Sequence, residues 1–415
     1  MSPDTLFIII IAIIIFSQIF DYTLDYLNLT YRNKPIPKEL NDIYDNEQYR
    51  KQQAYEEETT RFSFWSSLIN FCAILIVLFT DSFALLDNYL RIYISHEIWL
   101  SLSFFAILMF LSSIISFPFS LYSTFVIEEK YGFNNTTLKI FLLDKFKGAL
   151  LTVVIGGGLL YLVIFLYQIF GTYFWIYTWL IITFIMLIMN MFYSQLIVPL
   201  FNKQIPLEEG SLRNAIEEFS QKVGFKLNNI FVIDGSKRST KANAYFSGLG
   251  PKKRIVLYDT LINDLSEKEI VAVLAHEVGH YKHKHTIKGM LMAIVQTGII
   301  LFVFSLLIAN PILNQALGSN HQSFHFGLIV FSFLLEPISQ FIGVFMNVFS
   351  RKNEYQADAF AQNYGFGESL ISALKKLSGS SLSNLTPHPF YVFIHYSHPS
   401  LYQRIKTILT RNISE

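Results

Sequence analysis

The sequence predicts a mostly α-helical, polytopic membrane protein with a small α+β domain outside the bilayer. Three observations lead to this fold class. Of the 415 residues, 52% are hydrophobic and only 15% are charged, a balance too apolar for an ordinary globular protein. Long apolar runs recur along the chain. Between the fifth and sixth runs lies a polar stretch with short segments rich in β-branched and aromatic residues, which is typical of strands.

Seven apolar segments are expected to cross the bilayer as helices. Most approach the ~20 residues that a helix needs to span the hydrocarbon core. The first is shorter and must extend through its flanks. In chain order they are Leu6–Phe20, Phe64–Leu86, Ile98–Leu121, Ala149–Phe170, Tyr173–Leu196, Ile287–Ala309 and Phe326–Ser350.

The Lys and Arg residues between these segments alternate in number. Residues 21–63 carry six and residues 122–148 carry four, whereas 87–97 carry one and 310–325 carry none. Because positive loops stay on the cytoplasmic side, we expect the N-terminus outside or in the lumen and the C-terminus in the cytosol. The membrane would be the plasma membrane of a prokaryote or the endoplasmic reticulum of a eukaryote.

This topology divides the chain into four parts. Residues 1–197 hold helices one to five, 198–286 form a cytosolic α+β domain, 287–350 hold helices six and seven, and 351–415 return to the cytosol. Within the second part, "SLRNAIEEFSQKVGF" has helical spacing, and "NIFVIDG", "NAYFSGL" and "RIVLYDT" are expected to be strands.

Charge and cysteine content exclude several classes of function. The net charge of +1 and the lack of a basic stripe argue against nucleic-acid binding. The one cysteine, Cys72, lies in an apolar run, so a disulfide framework and a thiolate metal site are both excluded. Any metal must be held by nitrogen and oxygen ligands.

The stretch "VLAHEVGHYKHKH" contains an H-E-x-x-H pattern. Ser266 followed by Glu269 is a capping box that starts a helix at about Glu267. On that helix His276 and His280 project from one face, as two ligands of one Zn²⁺ must. Glu277 lies about 100° round the axis, where a general base for hydrolysis is needed.

Two other histidines near this pattern are less suited to be metal ligands. His283 and His285 lie beyond it and are expected to be capping or surface residues. The whole cluster could instead be a proton sensor or a solvated helix end.

A catalytic zinc site needs a third protein ligand. Two spans follow His280, so the chain returns to the same membrane face at "RKNEYQADAF". There Glu354 can be the third ligand, and Asp358 can accept a hydrogen bond from a ligating imidazole. Without the H-E-x-x-H pattern, both would be read as solvated charges at a helix end.

Three further features bear on the site. In the tail, His398 near the metal could steady an oxyanion, and Arg404 could hold a substrate carboxylate or a histidine; surface capping is equally compatible with them. His395 lies in the same stretch. The segment "KANAYFSGL" could be an edge strand that binds a peptide, or a plain structural strand. Glu336, inside the seventh span, should face a polar interior rather than lipid.

Six motifs together resemble one family, the type I CAAX prenyl proteases. These are seven-span membrane zinc metallopeptidases that process prenylated C-terminal motifs and the yeast a-factor pheromone. The motifs run in family order from the third span to the tail. They are "LYSTFVIEEKYGFN", "GSKRSTKANAYFSGL", "KKRIVLYDTL", "VLAHEVGHYKHKH", "SRKNEYQADAFA" and "HYSHPSLYQR".

The resemblance implies seven helices around a water-filled chamber, with a gluzincin-like zinc domain at its cytosolic end. It implies one Zn²⁺ per chain and assigns a role to each residue of the site. The metal ligands would be His276, His280 and Glu354, the catalytic residues Glu277, His398 and Arg404, the orienting residue Asp358, and the substrate-binding residues Asn243, Ala244, Tyr245 and Phe246.

The expected function is an integral-membrane zinc endopeptidase acting near hydrophobic or prenylated C-termini. Its partners would be such a peptide or protein substrate and membrane lipid, without nucleic acid, and we expect a monomer. Two alternatives remain open: a quality-control protease of broad specificity, and a non-enzymatic seven-span transporter or receptor.

Overall fold

The computed structural model describes residues 1–32, 34–225, 230–247 and 254–411. The ends of five quoted segments, at residues 229, 248–249 and 252–253, lie outside this part of the chain. Within it, the prediction of a mostly helical protein with a small α+β portion is confirmed.

The N-terminal half consists almost entirely of helices. Two π-helical stretches, Ser123–Glu128 and Thr152–Gly157, join neighbouring helices without a break, and short 3-10 turns lie at Lys38–Leu40 and Gly171–Tyr173. In chain order the helices are α1 (Pro3–Thr30), α2 (Asn46–Phe79), α3 (Ser82–Arg91), α4 (Glu97–Tyr122), α5 (Glu129–Tyr131), α6 (Leu138–Leu151), α7 (Gly158–Phe170), α8 (Phe174–Leu196) and α9 (Val198–Phe201).

A four-stranded sheet follows these helices. Its elements are β1 (Gln204–Pro206), α10 (Ser211–Lys222), β2 (Ile230–Ile233), β3 (Ala244–Ser247), β4 (Arg254–Tyr258), α11 (Asp259–Asp264) and α12 (Glu267–Lys282), with a 3-10 turn at Gly235–Lys237. The strand order is β1-β2-β4-β3, so β3 is an edge strand that pairs antiparallel with β4. The three predicted strands and the predicted helix are confirmed; β1, three residues ending in proline, has no recognisable strand pattern.

The C-terminal part alternates long and short helices. They are α13 (His285–Leu307), α14 (Ile312–Gln315), α15 (Phe324–Asn363), α16 (Gly367–Ser380), α17 (Pro389–His395) and α18 (Leu401–Arg411). The buried core of the α+β portion includes Ile216, Leu257, Leu274 and Ala361. It therefore draws on α10, β4, α12 and α15.

Six helical stretches of the described chain are long and apolar enough to cross a membrane. One of them, Leu138–Phe201, has 64 residues, about three times the length that one span requires. The chain turns within it at Gly171, whose φ is +53°, and the rings of Phe170 and Tyr177 stack across the turn with centroids 4.0 Å apart. This stretch is therefore long enough for two crossings, and each of the seven predicted spans has a helical counterpart among the described residues.

Two helices end elsewhere than the predicted apolar segments. The second span was expected to reach Leu86, but α2 ends at Phe79 and a left-handed residue, Asp81, separates it from α3. The seventh span was expected to end near Ser350, but α15 continues unbroken to Asn363 over 40 residues. Polar side chains after Ser350 end the apolar run without ending the helix. One continuous helix, with Pro337 inside it, thus reaches from the membrane helices to the polar domain.

Candidate metal centre

Helix α12 carries the H-E-x-x-H pattern and begins where the sequence predicted. Ser266 and Glu269 form the capping box, and the Ser266 backbone N–H donates to the Glu269 carboxylate at 2.7 Å. Burial favours the neutral acid, but Lys376, Ser372 and Ser266 outweigh it and hold the pKa of Glu269 at about 2. The N-terminal end of the helix is therefore anchored by an ionised carboxylate.

Helix α12 crosses α15 at very short range because Gly279 faces it. A Cβ at this position would lie 3.0 Å from both Ala357 Cα and Phe360 Cβ. The glycine costs helix propensity of about 1 kcal/mol, but it allows the two backbones to approach. The approach places the histidines of α12 opposite Glu354 and Asp358 of α15.

Three side chains meet at this crossing. One ligand atom each from His276, His280 and Glu354 lies within 4.8 Å of the others. The two imidazole Nε2 atoms are 3.1 Å apart. Glu354 Oε1 is 3.2 Å from His280 Nε2, and Glu354 Oε2 is 3.4 Å from His276 Nε2. Tetrahedral Zn²⁺ with nitrogen and oxygen ligands separates them by about 3.3 Å, so this donor set fits zinc.

The electrostatics of the crossing favour a cation. His276 Nδ1 is 2.8 Å from Asp358 Oδ1, which is buried. Burial and Arg404 lower the pKa of His276, but Asp358 and Glu354 outweigh them and raise it to about 9. Glu354 Oε2 is buried and makes no hydrogen bond among the described residues; its nearest charged groups are His276 Nε2 at 3.4 Å and Arg404 Nη1 at 3.6 Å. A metal ion between it and His276 Nε2 would give this oxygen the close partner that it lacks.

Glu277 lines the same cleft, which has a volume of about 530 Å³. Its side chain is half-buried. Within the described part of the chain, no hydrogen bond or ion pair engages its carboxylate. The group is therefore available to take a proton from a reactant in the cleft.

His398 and Arg404 approach the centre from the tail. His398 Nε2 is 3.4 Å from Glu354 Oε1, and its side chain is 62% exposed. Arg404 is buried and donates from Nε and Nη2 to the two oxygens of Asp358, at 2.9 and 2.5 Å. His398 thus faces the cleft, whereas most of the Arg404 guanidinium is engaged by the carboxylate that holds His276.

The edge strand β3 forms one wall of the cleft. Asn243, Ala244 and Phe246 line it together with the metal-centre residues. Tyr245 does not line it; its side chain leaves β3 on the opposite face from Ala244 and Phe246 and lines an adjoining cavity, which Asn243 and Phe246 also reach. The Asn243 amide oxygen accepts from the Ala244 backbone N–H at 2.8 Å.

The segment leading to β3 is fastened to the membrane helices. Lys241 Nζ is 2.9 Å from Glu128 Oε2 and 3.2 Å from the Tyr55 hydroxyl, and it lies 4.3 Å from the centroid of the Phe133 ring. Glu128 ends the π-helical stretch Ser123–Glu128. Such stretches often lie near functional sites. Residues of the "FVIEEKYGFN" motif thus hold the segment that leads to β3.

Two other polar residues lie away from the centre. His395 is exposed at the end of α17 and packs on Tyr391, with ring centroids 4.7 Å apart. Glu336 accepts a hydrogen bond from Gln340 on α15. It lies about five helical turns from Glu354 and therefore on the same side of the helix.

His285 has a role that the sequence alone does not reveal. His283 is exposed at the C-cap of α12, as expected, but His285 is buried, so the surface assignment was wrong. Its Nδ1 is 3.0 Å from His280 Nδ1, and its Nε2 is 2.9 Å from Gln356 Oε1. The partner Gln356 comes from α15, which no local pattern reveals. Gly279 was also missed, although a glycine inside a helix is a recognised sign of close packing.

Known proteins resemble the whole chain. Residues 25–203 match the family model described as CAAX prenyl protease N-terminal, five membrane helices, and residues 206–412 match peptidase family M48. A CAAX prenyl protease 1 homolog of Arabidopsis thaliana is 39% identical, over 96% of each chain. The CAAX prenyl protease 1 of Saccharomyces cerevisiae is 35% identical, over 92% of this chain and 91% of its own. The crystal structure of S. mikatae Ste24p superposes with a TM-score of 0.92 at 34% identity, covering 97% of this chain and 99% of that one.

Proposed function

Because this chain belongs to the CAAX prenyl protease 1 family of M48 membrane metallopeptidases, we propose that it hydrolyses peptide bonds near prenylated or otherwise hydrophobic CAAX-type C-termini. One observation carries the proposal. His276, His280 and Glu354 share a cleft with the Glu277 carboxylate, which no described residue engages in a hydrogen bond or an ion pair.

The metal that the family requires is proposed to be one Zn²⁺ per chain. Its ligands would be His276, His280 and Glu354. The donor distances support this assignment, as does the buried Glu354 oxygen that no described residue hydrogen-bonds. A zinc ion there supplies a Lewis acid that polarises the scissile carbonyl and lowers the pKa of the attacking water.

Glu277 is the proposed general base. Its free carboxylate takes a proton from the attacking water and later passes it to the leaving amine. Asp358 accepts from His276 Nδ1, which fixes the tautomer and leaves Nε2 as the ligand atom. Arg404 fixes Asp358 in turn through two hydrogen bonds. The exposed His398 is placed to stabilise negative charge on the reacting carbonyl oxygen.

The substrate is proposed to bind as an added strand along β3. The outer edge of β3 has no strand partner among the described residues, and its backbone groups can pair with an extended peptide. Asn243, Ala244 and Phe246 would contact substrate side chains or backbone in the cleft. Tyr245 would act from the opposite face by supporting the strand.

The enzyme is a multi-pass membrane protein. We place its N-terminus outside or in the lumen and its metal centre on the cytosolic side, as the distribution of Lys and Arg indicates. The membrane would be the endoplasmic reticulum in a eukaryote or the plasma membrane in a prokaryote. We also propose that it works as a monomer in contact with lipid.

Substituting Glu277 tests the mechanism. Glu277→Gln keeps the size of the side chain and removes the base, so peptide hydrolysis should fall about 10²- to 10⁴-fold while metal content stays at one zinc per chain. The matched control is Glu218→Gln, an exposed acid on α10, which should keep full activity. Wild-type turnover in Glu277→Gln would refute the role of Glu277, and a metal-free wild type would refute the zinc site.

A substrate panel tests the specificity. Matched peptides with a farnesylated and an unmodified C-terminal cysteine should differ in kcat/KM, with the farnesylated peptide cleaved faster. A quality-control protease of broad specificity would cleave both equally well. Equal rates on the two peptides, both lost with a chelator, would replace the CAAX assignment and leave the metallopeptidase intact.

A further inference from the structure

A chain of hydrogen bonds lies behind His280, on the side away from the metal ligands. His280 Nδ1 is 3.0 Å from His285 Nδ1, and His285 Nε2 is 2.9 Å from Gln356 Oε1. His285 is only 5% exposed. Three side chains from three helices, α12, α13 and α15, are thus aligned behind one ligand.

We propose that His285 and Gln356 are positioning residues that fix the tautomer and the ring orientation of the metal ligand His280. The proposal rests on the metal set of the preceding subsection and adds two residues to it. In metal sites, the partner of a ligating imidazole commonly sets both its orientation and its basicity.

The assignment of protons follows from the distances. His280 Nε2 faces Glu354 Oε1 at 3.2 Å, so as a metal ligand it must offer its lone pair there. The proton of the neutral ring then lies on Nδ1. Since His285 Nδ1 is the nearest acceptor, it must be unprotonated. The proton of His285 therefore lies on Nε2 and is donated to the Gln356 amide oxygen.

With the Gln356 amide oxygen facing His285 and His280 Nε2 facing the metal site, one arrangement of protons satisfies all three side chains. If His285 carried its proton on Nδ1, two N–H groups would face each other and His280 would have to rotate or bind through the wrong tautomer. In its observed orientation Gln356 disfavours this, because the carbonyl oxygen that faces His285 Nε2 can accept only from Nε2–H. The amide thus acts on a ligand that it does not touch.

The two histidine ligands are held differently. His276 has a carboxylate behind it, Asp358 at 2.8 Å, whereas His280 has a neutral imidazole and an amide. A neutral acceptor transfers less negative charge to the ligand than a carboxylate does, so His280 should be the weaker donor of the two. The chain also joins the metal centre to the first residue of α13 and to α15.

Metal binding tests the proposal without relying on activity. His285→Phe keeps an aromatic ring and removes the acceptor, and Gln356→Met keeps the length and removes the carbonyl. His285→Asn supplies an acceptor and a donor again. The control is His283→Phe, whose exposed side chain stacks on His285 but touches no ligand. The full-length proteins in detergent would be titrated with zinc against a chromogenic chelator, and their Co²⁺-substituted forms examined by visible absorption.

We expect the zinc affinity of His285→Phe to fall about 10- to 100-fold and its Co²⁺ spectrum to shift. Gln356→Met should show a smaller loss, His285→Asn a partial recovery, and His283→Phe no change. Wild-type affinity and spectrum in both His285→Phe and Gln356→Met would overturn the proposal while leaving the zinc site intact. If His285→Phe does not fold, Gln356→Met decides alone. A wild type without stoichiometric metal would instead overturn the proposed function, and this inference with it.

Discussion

Glu269 shows how one buried side chain can anchor the start of a functional helix. It closes the capping box of α12 and is only 7% exposed at its side chain, while Lys376 contacts it at 2.7 Å. Ser372 donates to its other oxygen at 2.6 Å. These contacts favour the ionised form, which is why its pKa lies at about 2 rather than near its ordinary value.

A pH-dependent contribution to stability follows. Because the folded-state pKa is lowered, the stabilisation by Glu269 is complete above its ordinary pKa of about 4.3 and is lost as the pH falls towards 2. Glu269→Gln should lower the free energy of unfolding at neutral pH by roughly 1.5–3 kcal/mol. Thermal unfolding in detergent should show a smaller drop in Tm between pH 5 and pH 2 for this variant. Equal drops in Tm for the wild type and Glu269→Gln would contradict this contribution of Glu269. Glu218→Gln is the control.

Some residues of the site could be predicted from the sequence and others could not. His276 and His280 were predictable because their i, i+4 spacing within one helix places them on one face. Glu354 needed the count of membrane spans, which returns the chain to the same side. His285 was misjudged because its burial depends on Gln356, a residue of another helix. A histidine just beyond a motif carries no local sign of such a partner.

Among the elements, the crossing of α12 and α15 decides whether the metal centre can form. Two of the three ligands lie on α12 and the third on α15, so their separation depends on how closely the helices approach. Gly279 permits contact at the level of the backbone. The unbroken α15 fixes Glu354 relative to the membrane helices, and this continuity was missed because the apolar pattern stops at Ser350.

Gly279→Ala tests this crossing. The new Cβ would lie 3.0 Å from Ala357 Cα, so the helices must separate by a few tenths of an ångström. Alanine favours the helix by about 1 kcal/mol, yet we expect zinc affinity to fall and hydrolysis to fall with it. The control Gly343→Ala adds a Cβ on α15 with nothing within 4 Å. Isothermal titration with zinc distinguishes them, and equal affinities for the two variants would show that the close approach is unimportant.

For the whole molecule, composition and apolar runs predicted the architecture well because bilayer thickness imposes a length on each crossing. The turn at Gly171 was predicted because one apolar segment ends at Phe170 and the next begins at Tyr173. The break between α2 and α3 was not, since Phe83 and Leu90 keep the sequence apolar while packing in a buried core. Hydropathy does not distinguish a segment buried within the protein from one buried in lipid.

The orientation of the molecule in its membrane is the remaining whole-molecule prediction, and it determines which compartment supplies the substrate. From the charge distribution we expect the α3–α4 connection outside and the metal centre in the cytosol. Since Cys72 is the only cysteine, a Cys72→Ser background allows single cysteines to report on each side. Tyr93→Cys, at a position 71% exposed, should react with a membrane-impermeant maleimide in intact bacterial cells that express the protein.

Glu218→Cys, on the exposed face of α10, should react only after the cells are permeabilised. The Cys72→Ser background without a new cysteine is the control and should stay unlabelled. Seven crossings would put the two termini on opposite sides of the membrane. The opposite labelling pattern would therefore mean that the whole molecule has the opposite orientation. Labelling of Glu218→Cys in intact cells, with Tyr93→Cys protected, would place the metal centre outside the cytosol and require a substrate from that side.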